Sequence, residues 1–148
     1  MQRSSWMKVA GVASLVAVAA CGGSDVPTGI EEETGGENEI ENPSFATDVS
    51  TIFTARGCTA GNCHGGGAGD LILSADPATN YANLVGVQAN GEPSFQLVEA
   101  GDAQNSYLVI KLEGRQSSGG RMPLGRAPLS TAEIQTIRNW IDAGAPNN

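Results

Sequence analysis

Two thiols and an imidazole fall within seven residues, Cys58-Thr59-Ala60-Gly61-Asn62-Cys63-His64, and His64 is the only histidine in the chain. Residues of these types at close spacing can anchor a haem. Two cysteines close thioether bonds on the porphyrin vinyls and the histidine that follows ligates iron, most often as C-x-x-C-H. Here the spacing is C-x4-C-H, two residues longer. The vinyl arms are fixed in space, so the longer loop must bulge outward between them. Gly61 and Asn62, which tolerate left-handed backbone, allow it to do so. The same side chains admit two other chemistries. Cys58 and Cys63 can join as a disulfide closing a tight loop, worth about 2–3 kcal/mol in a small exported domain. A metal site is the third: zinc wants a fourth ligand that no further Cys or His of the domain supplies, whereas a Cys, His and Met set suits copper.

An iron held by His64 needs a second ligand from elsewhere in the chain. Arg121-Met122-Pro123-Leu124-Gly125 sets a methionine in a loop stiffened by proline. Methionine alone is more often a gap-filler of the core. Opposite an imidazole, a thioether is the usual second axial ligand of electron-transfer cytochromes and raises the potential. Met1 is the initiator and Met7 lies in the leader, so Met122 is the candidate sulfur ligand of the mature chain. Arg115, Arg121 and Arg126 flank it. They read either as partners for porphyrin propionates and a rim that steers an acidic redox partner, or as a solvated basic loop.

Helices must position these groups. Val49, Ile52 and Phe53 recur at helical spacing, with Thr47 as the expected N-cap and Gly57 as the stop just before Cys58. Gly65-Gly66-Gly67-Ala68-Gly69 lets backbone pass close to a flat group, or is simply irregular loop. Leu71-Ile72-Leu73 is a short apolar run, strand-like or laid across the core. Asp76-Pro77 is a strong start for a helix carrying Tyr81, Leu84 and Val85. Residues 86–101 read as irregular, with a turn at Gly91-Glu92-Pro93. The pattern predicts a further helix over about 103–112, capped by Asp102, with Tyr107, Leu108 and Lys111 or Leu112 turned inward. Residues 113–128 are loop. Ser130-Thr131-Ala132-Glu133 is a capping box with Leu129 and Ile134 as its hydrophobic staple. Ile134, Ile137, Trp140 and Ile141 form one stripe, which places Trp140 against the Val49/Phe53 face, and Gly144 and Pro146 end the helix.

The chain before this domain reads differently. Arg3 and Lys8 precede an apolar run, Val9 to Ala20, too short to span a membrane. It ends in Val18-Ala19-Ala20-Cys21, which resembles the lipobox of bacterial lipoprotein signals, where the cysteine is acylated and becomes the mature N-terminus. A plain secretory signal is the alternative. Acylation of Cys21 would hold the protein at the membrane, each buried methylene adding roughly 0.8 kcal/mol, and Gly22 after it leans towards the outer membrane. The expected organisation is therefore a signal peptide over 1–20, a lipidated cysteine and acidic tether over 21–45, and a folded domain over 46–148. Asp25, Glu31, Glu32, Glu33, Glu37, Glu39 and Glu41 fall in the tether without one base, so most of the formal charge of −8 lies there. The acidity disfavours nucleic-acid binding. No Ser-His-Asp set, phosphate loop or paired carboxylate motif stands out, so a carrier is expected rather than an enzyme.

The runs Ile52-Phe53, Cys58, Cys63-His64-Gly65, Gly69-Asp70-Leu71-Ile72-Leu73, Tyr81-Ala82-Asn83-Leu84-Val85 and Ser106-Tyr107-Leu108 are familiar together. So is the ending Met122-Pro123, Leu129-Ser130 and Ile137-Arg138-Asn139-Trp140-Ile141-Asp142-Ala143-Gly144-Ala145. Over residues 46–146 the chain resembles the planctomycete-type cytochrome c domain, a relative of the small class I c-type cytochromes. The resemblance implies a mainly α domain of short helices and long loops packed around one haem c. It implies thioether bonds at Cys58 and Cys63, proximal iron ligation by His64, distal ligation by Met122, and redox proteins as partners. A haem would also enlarge a core poor in aromatic residues, since burying several hundred Å² of porphyrin contributes on the order of 10 kcal/mol. The expected protein is a membrane-anchored electron carrier, exported to the periplasm, outer membrane or cell surface. Its alternative is a haemless binding or spacer module with a Cys58–Cys63 disulfide.

Overall fold

Ser44 opens the first helical segment. Its side-chain oxygen accepts from the Thr47 N–H, and its own N–H donates to Asp48 Oδ2 at 2.7 Å. Helix termini leave such N–H groups orphaned, which is why the cap falls on a hydroxyl residue. The cap is Ser44 rather than Thr47 because this end is pinned from across the fold. Asn148 accepts from the Ser44 hydroxyl and from the Phe45 and Ala46 N–H groups. A π-turn over Phe45–Val49 then runs into helix α1, Ser50–Ala55. Gly57, at φ +73°, ends it. A Cβ at Gly57 would lie 2.7 Å from Nη1 of Arg126, so glycine serves both the turn and that close approach.

The computed structural model describes residues 38–148. The signal peptide, Cys21 and most of the acidic tether lie outside the described residues. Residues 38–45, expected as tether, are partly packed. Ile40 N–H donates to Thr136 Oγ1 at 3.0 Å, Asn139 Nδ2 donates to the Ile40 carbonyl, and Phe45 is fully buried. The folded region therefore begins before residue 46.

Helix α2 spans Pro77–Leu84, with Asp76 accepting from the Thr79 N–H and hydroxyl and Pro77 at the first position. Helix α3 spans Tyr107–Glu113, shorter than the expected 103–112. Asp102 makes a separate turn with Asn105, and the first two N–H groups of α3 bond the Gln96 and Leu97 carbonyls at 2.9 Å. Those tertiary bonds fix where α3 starts. Helix α4 spans Thr131–Asp142 and carries the full Ser130/Glu133 capping box. Among the described residues the fold is mainly α: four short α-helices, no strand, and two isolated bridges, Val85–Val98 and Gln88–Gln96. None of these helices is long and apolar enough to cross a membrane.

The core forms where α1, α2 and α4 each pack against the Phe45–Val49 segment and α3 packs against α4. Trp140 is fully buried, with the Phe45 ring 4.8 Å and the Tyr81 ring 6.4 Å from it, centroid to centroid. Val49, Phe53, Leu84, Val109, Leu112 and Ile137 belong to the same cluster. Trp140 thus meets the first helical segment at Phe45, ahead of the expected Val49/Phe53 face, and shares one core cluster with Val49 and Phe53.

Glu133 joins α4 to α1. It accepts from the Ser130 N–H at 2.7 Å and pairs with Arg56. Burial pushes its carboxyl up, but the bonds from Arg56 and Ser130 outweigh that and hold it below the ordinary range. A depressed carboxylate contributes stability that is present above its unfolded value and lost as pH falls through the folded one. Glu133→Gln is therefore expected to lower the unfolding free energy at pH 7 by about 1–2 kcal/mol. In urea titrations the gap to wild type should narrow as pH drops below about 4.5. A gap that stayed constant with pH would remove the charge from this account.

Candidate functional site

The Cys58–His64 loop hangs from the end of α1, where the Cys58 N–H donates to the Phe53 carbonyl at 2.8 Å. It closes on itself: Cys63 and Gly65 N–H groups bond the Ala60 carbonyl, and the His64 N–H bonds that of Cys58. A Cβ at Gly65 would overlap the Thr59 carbonyl oxygen, and one at Gly66 that of Gly61. These two glycines are required by the fold-back of the longer loop itself. The chain continues through single turns at His64–Gly66 and Ala68–Asp70.

The imidazole is oriented by this arrangement. His64 Nδ1 lies 2.8 Å from the Ala68 carbonyl oxygen. A carbonyl can only accept, so Nδ1 carries a proton, and in the neutral ring that leaves Nε2 as the nitrogen able to ligate. A ring fixed in this way is a prepared metal ligand, because the outer hydrogen bond sets both tautomer and orientation.

Met122 reaches the same place from the far end of the domain. Its N–H donates to the Lys111 carbonyl at 3.0 Å, and Arg121 Nε donates to that of Leu112 at 2.6 Å, stitching the methionine loop to α3. Cys58, His64 and Met122 all line one cleft of about 430 Å³. Its walls are apolar, drawn from Phe53, Leu71, Leu73, Leu84, Leu108 and Leu112. That volume is in the range of small-molecule and cofactor sites.

Cys63 is not among the residues lining the cleft, and its Sγ lies 3.9 Å from Asn62 Oδ1. Both cysteines are free thiols. Burial, helped by the neighbouring Cys63, pushes the Cys58 thiol above its ordinary value, so Cys58 stays protonated at neutral pH. Among the described residues no three His, Cys, Asp or Glu side chains converge as a metal-holding group.

None of the flanking arginines lines the cleft, although Arg126 is close enough to Cys58 to act on its thiol. Arg115 pairs with Glu113, Arg121 bonds the Leu112 carbonyl, and Arg126 lies over Gly57. Asn90, Tyr107, Lys111 and Ser118 line the cleft instead. Of these, Tyr107 is read from the helix pattern as turned inward and Lys111 as an alternative to Leu112 on that face; Asn90 and Ser118 sit in irregular segments that carry no such signal.

No family model, no curated protein and no solved structure matches the chain.

Proposed function

We propose that this protein is a monohaem c-type cytochrome that carries electrons in the bacterial cell envelope, exported as a lipoprotein and held at the membrane through Cys21. One observation carries the reading: an imidazole early in the domain and a thioether late in it line one apolar cleft together with Cys58. A disulfide-closed spacer gives no reason for those two ends of the chain to converge. The residues present fit a haem. His64 would offer Nε2 to the iron, since Nδ1 is taken by the Ala68 carbonyl, and Met122 would offer its sulfur as a second iron ligand. Cys58, within the cleft, and Cys63, which does not line it, would supply the thioether sulfurs. Bound there, the haem would supply a one-electron iron couple. The leucine walls would exclude water from it, and Met122 would favour the reduced state. The domain would pass electrons between redox proteins and needs no general base, consistent with a lone histidine committed to iron.

Purified from an exporting host that has haem-attachment machinery, the protein is expected to show Soret and α bands that survive acid–acetone extraction. Thioether-linked haem does not leave with the solvent. A colourless protein with the mass of an internal disulfide would replace this reading with the spacer module.

A further inference from the structure

Residues 116–120 run along the cleft, which Ser118 and Gly119 line. Both ends of this stretch are fixed to α3. Before it, Gly114 at φ +78° ends the helix, and the Arg115 N–H donates to the Ile110 carbonyl at 2.9 Å. After it, Arg121 Nε and the Met122 N–H donate to the Leu112 and Lys111 carbonyls. Between these two hinges the stretch is tied to the rest of the described residues by hydrogen bonds to a single carboxylate. The Ser117 N–H donates to Glu92 Oε1 at 2.7 Å, and the Ser117 hydroxyl and Ser118 N–H bond the same group. Its one other hydrogen bond, from Gln116 Nε2 to the Gly119 carbonyl at 3.2 Å, is internal.

The far side of that tie is firm. The Ala89 N–H donates to the Phe95 carbonyl and the Phe95 N–H to that of Glu92, both at 3.0 Å. Gln88 Nε2 donates to the Pro93 carbonyl at 2.6 Å, and the Phe95 ring stacks on Tyr107 with centroids 6.3 Å apart. The Tyr107 hydroxyl donates to Glu92, and the Lys111 charge acts on it too. Asn90 and Gly91 of this turn line the cleft as well. We propose that residues 116–120 form a flap for which Glu92 is the latch, so that its release opens the cleft between Asn90 and Gly91 on one side and Ser118 and Gly119 on the other. No residue of the flap belongs to either core cluster. Opening it therefore breaks the bonds to Glu92 and leaves the packed interior in place, which makes it a local event rather than an unfolding. The Ser117 and Ser118 bonds hold the Glu92 carboxyl below the ordinary range, so the latch is charged at neutral pH. The inference concerns how the cleft closes, whatever fills it, and does not rest on the haem reading.

The test uses the full chain, purified without haem under reducing conditions. Cys58 lines the cleft and Cys63 does not, so peptide-resolved labelling of both reads access to the cleft against an internal reference. The charges acting on the Cys58 thiol are those of Cys63, Arg126 and Glu133, so replacing Glu92 changes access without changing reactivity. Pyrene maleimide, flat and bulky, should label Cys58 about tenfold faster in Glu92→Ala than in wild type, because labelling follows the open population. Iodoacetamide, which is small, should gain less than about twofold, and Cys63 should be unchanged. Glu92→Gln keeps an acceptor but loses the charge and should gain about threefold, which also serves if Glu92→Ala does not fold. In Glu92→Gln, hydrogen exchange should quicken at Ser117 and Ser118 while α3 and α4 keep their protection. Wild-type rates of pyrene labelling in Glu92→Gln, or protection lost throughout α3 and α4 of that variant, would overturn the latch and leave the haem reading standing.

Discussion

His64→Ala should strip the purified protein of the bands of a six-coordinate haem while leaving its far-ultraviolet circular dichroism unchanged. His64 is the sole imidazole of the chain, so no second ring can take its place. Its side chain is half-buried at the cleft and belongs to neither core cluster, so truncation removes no packed volume. Losing an outer-shell partner of a ligating histidine already costs about 10–100-fold in metal affinity, so losing the ligand should cost more than roughly 100-fold. Free imidazole added to the variant should restore part of the spectrum by filling the vacated position. Met122→Ala should behave differently: the haem stays, the potential falls and the distal side opens to added ligands. A His64→Ala protein with wild-type bands would show that iron is held by some other group, and the proposed carrier would lose its axial pair.

What could be read from the sequence was local. The Ser130/Glu133 box and the Asp76-Pro77 start are hydrogen bonds between residues three apart, so residue type and spacing suffice to place them. The true start of α3 was hidden because the Gln96 and Leu97 carbonyls decide it, and nothing near Asp102 announces that pairing. Ser44 was passed over as a cap for a similar reason, since its partner Asn148 lies at the far end of the chain. The candidate site divides along the same line. Cys58, Cys63 and His64 announce themselves as contiguous chemistry. The Ala68 carbonyl that fixes the imidazole has no side-chain signature at all. The helix pattern leaves Lys111 or Leu112 as the inward residue and does not mark Lys111 as the cation lining the cleft, because the three arginines around Met122 are the more conspicuous charges.

Trp140→Ala is expected to lower the unfolding free energy of the haem-free protein by about 3–5 kcal/mol, read from the urea midpoint. The ring is fully buried against Phe45 and Tyr81, which also pack on each other, and its Nε1–H donates to the Pro146 carbonyl at 2.9 Å. Truncation removes the aromatic contacts, opens a cavity and leaves that carbonyl without its donor. A small domain holds only about 5–15 kcal/mol in total, so the variant should sit near the edge of folding. The core and the cleft share walls, because Phe53, Leu84 and Leu112 belong to both. A haem joined through thioethers stays on the unfolded chain as well, but its burial in the cleft and its iron ligands belong to the folded state alone and should oppose the loss. Haem-loaded Trp140→Ala should accordingly keep a cooperative unfolding transition under conditions where the haem-free variant has none. A loss below about 1 kcal/mol in the haem-free protein would mean that the three rings do not form the centre of the core. Equal sensitivity of loaded and unloaded protein would mean that the cleft is not filled by the haem.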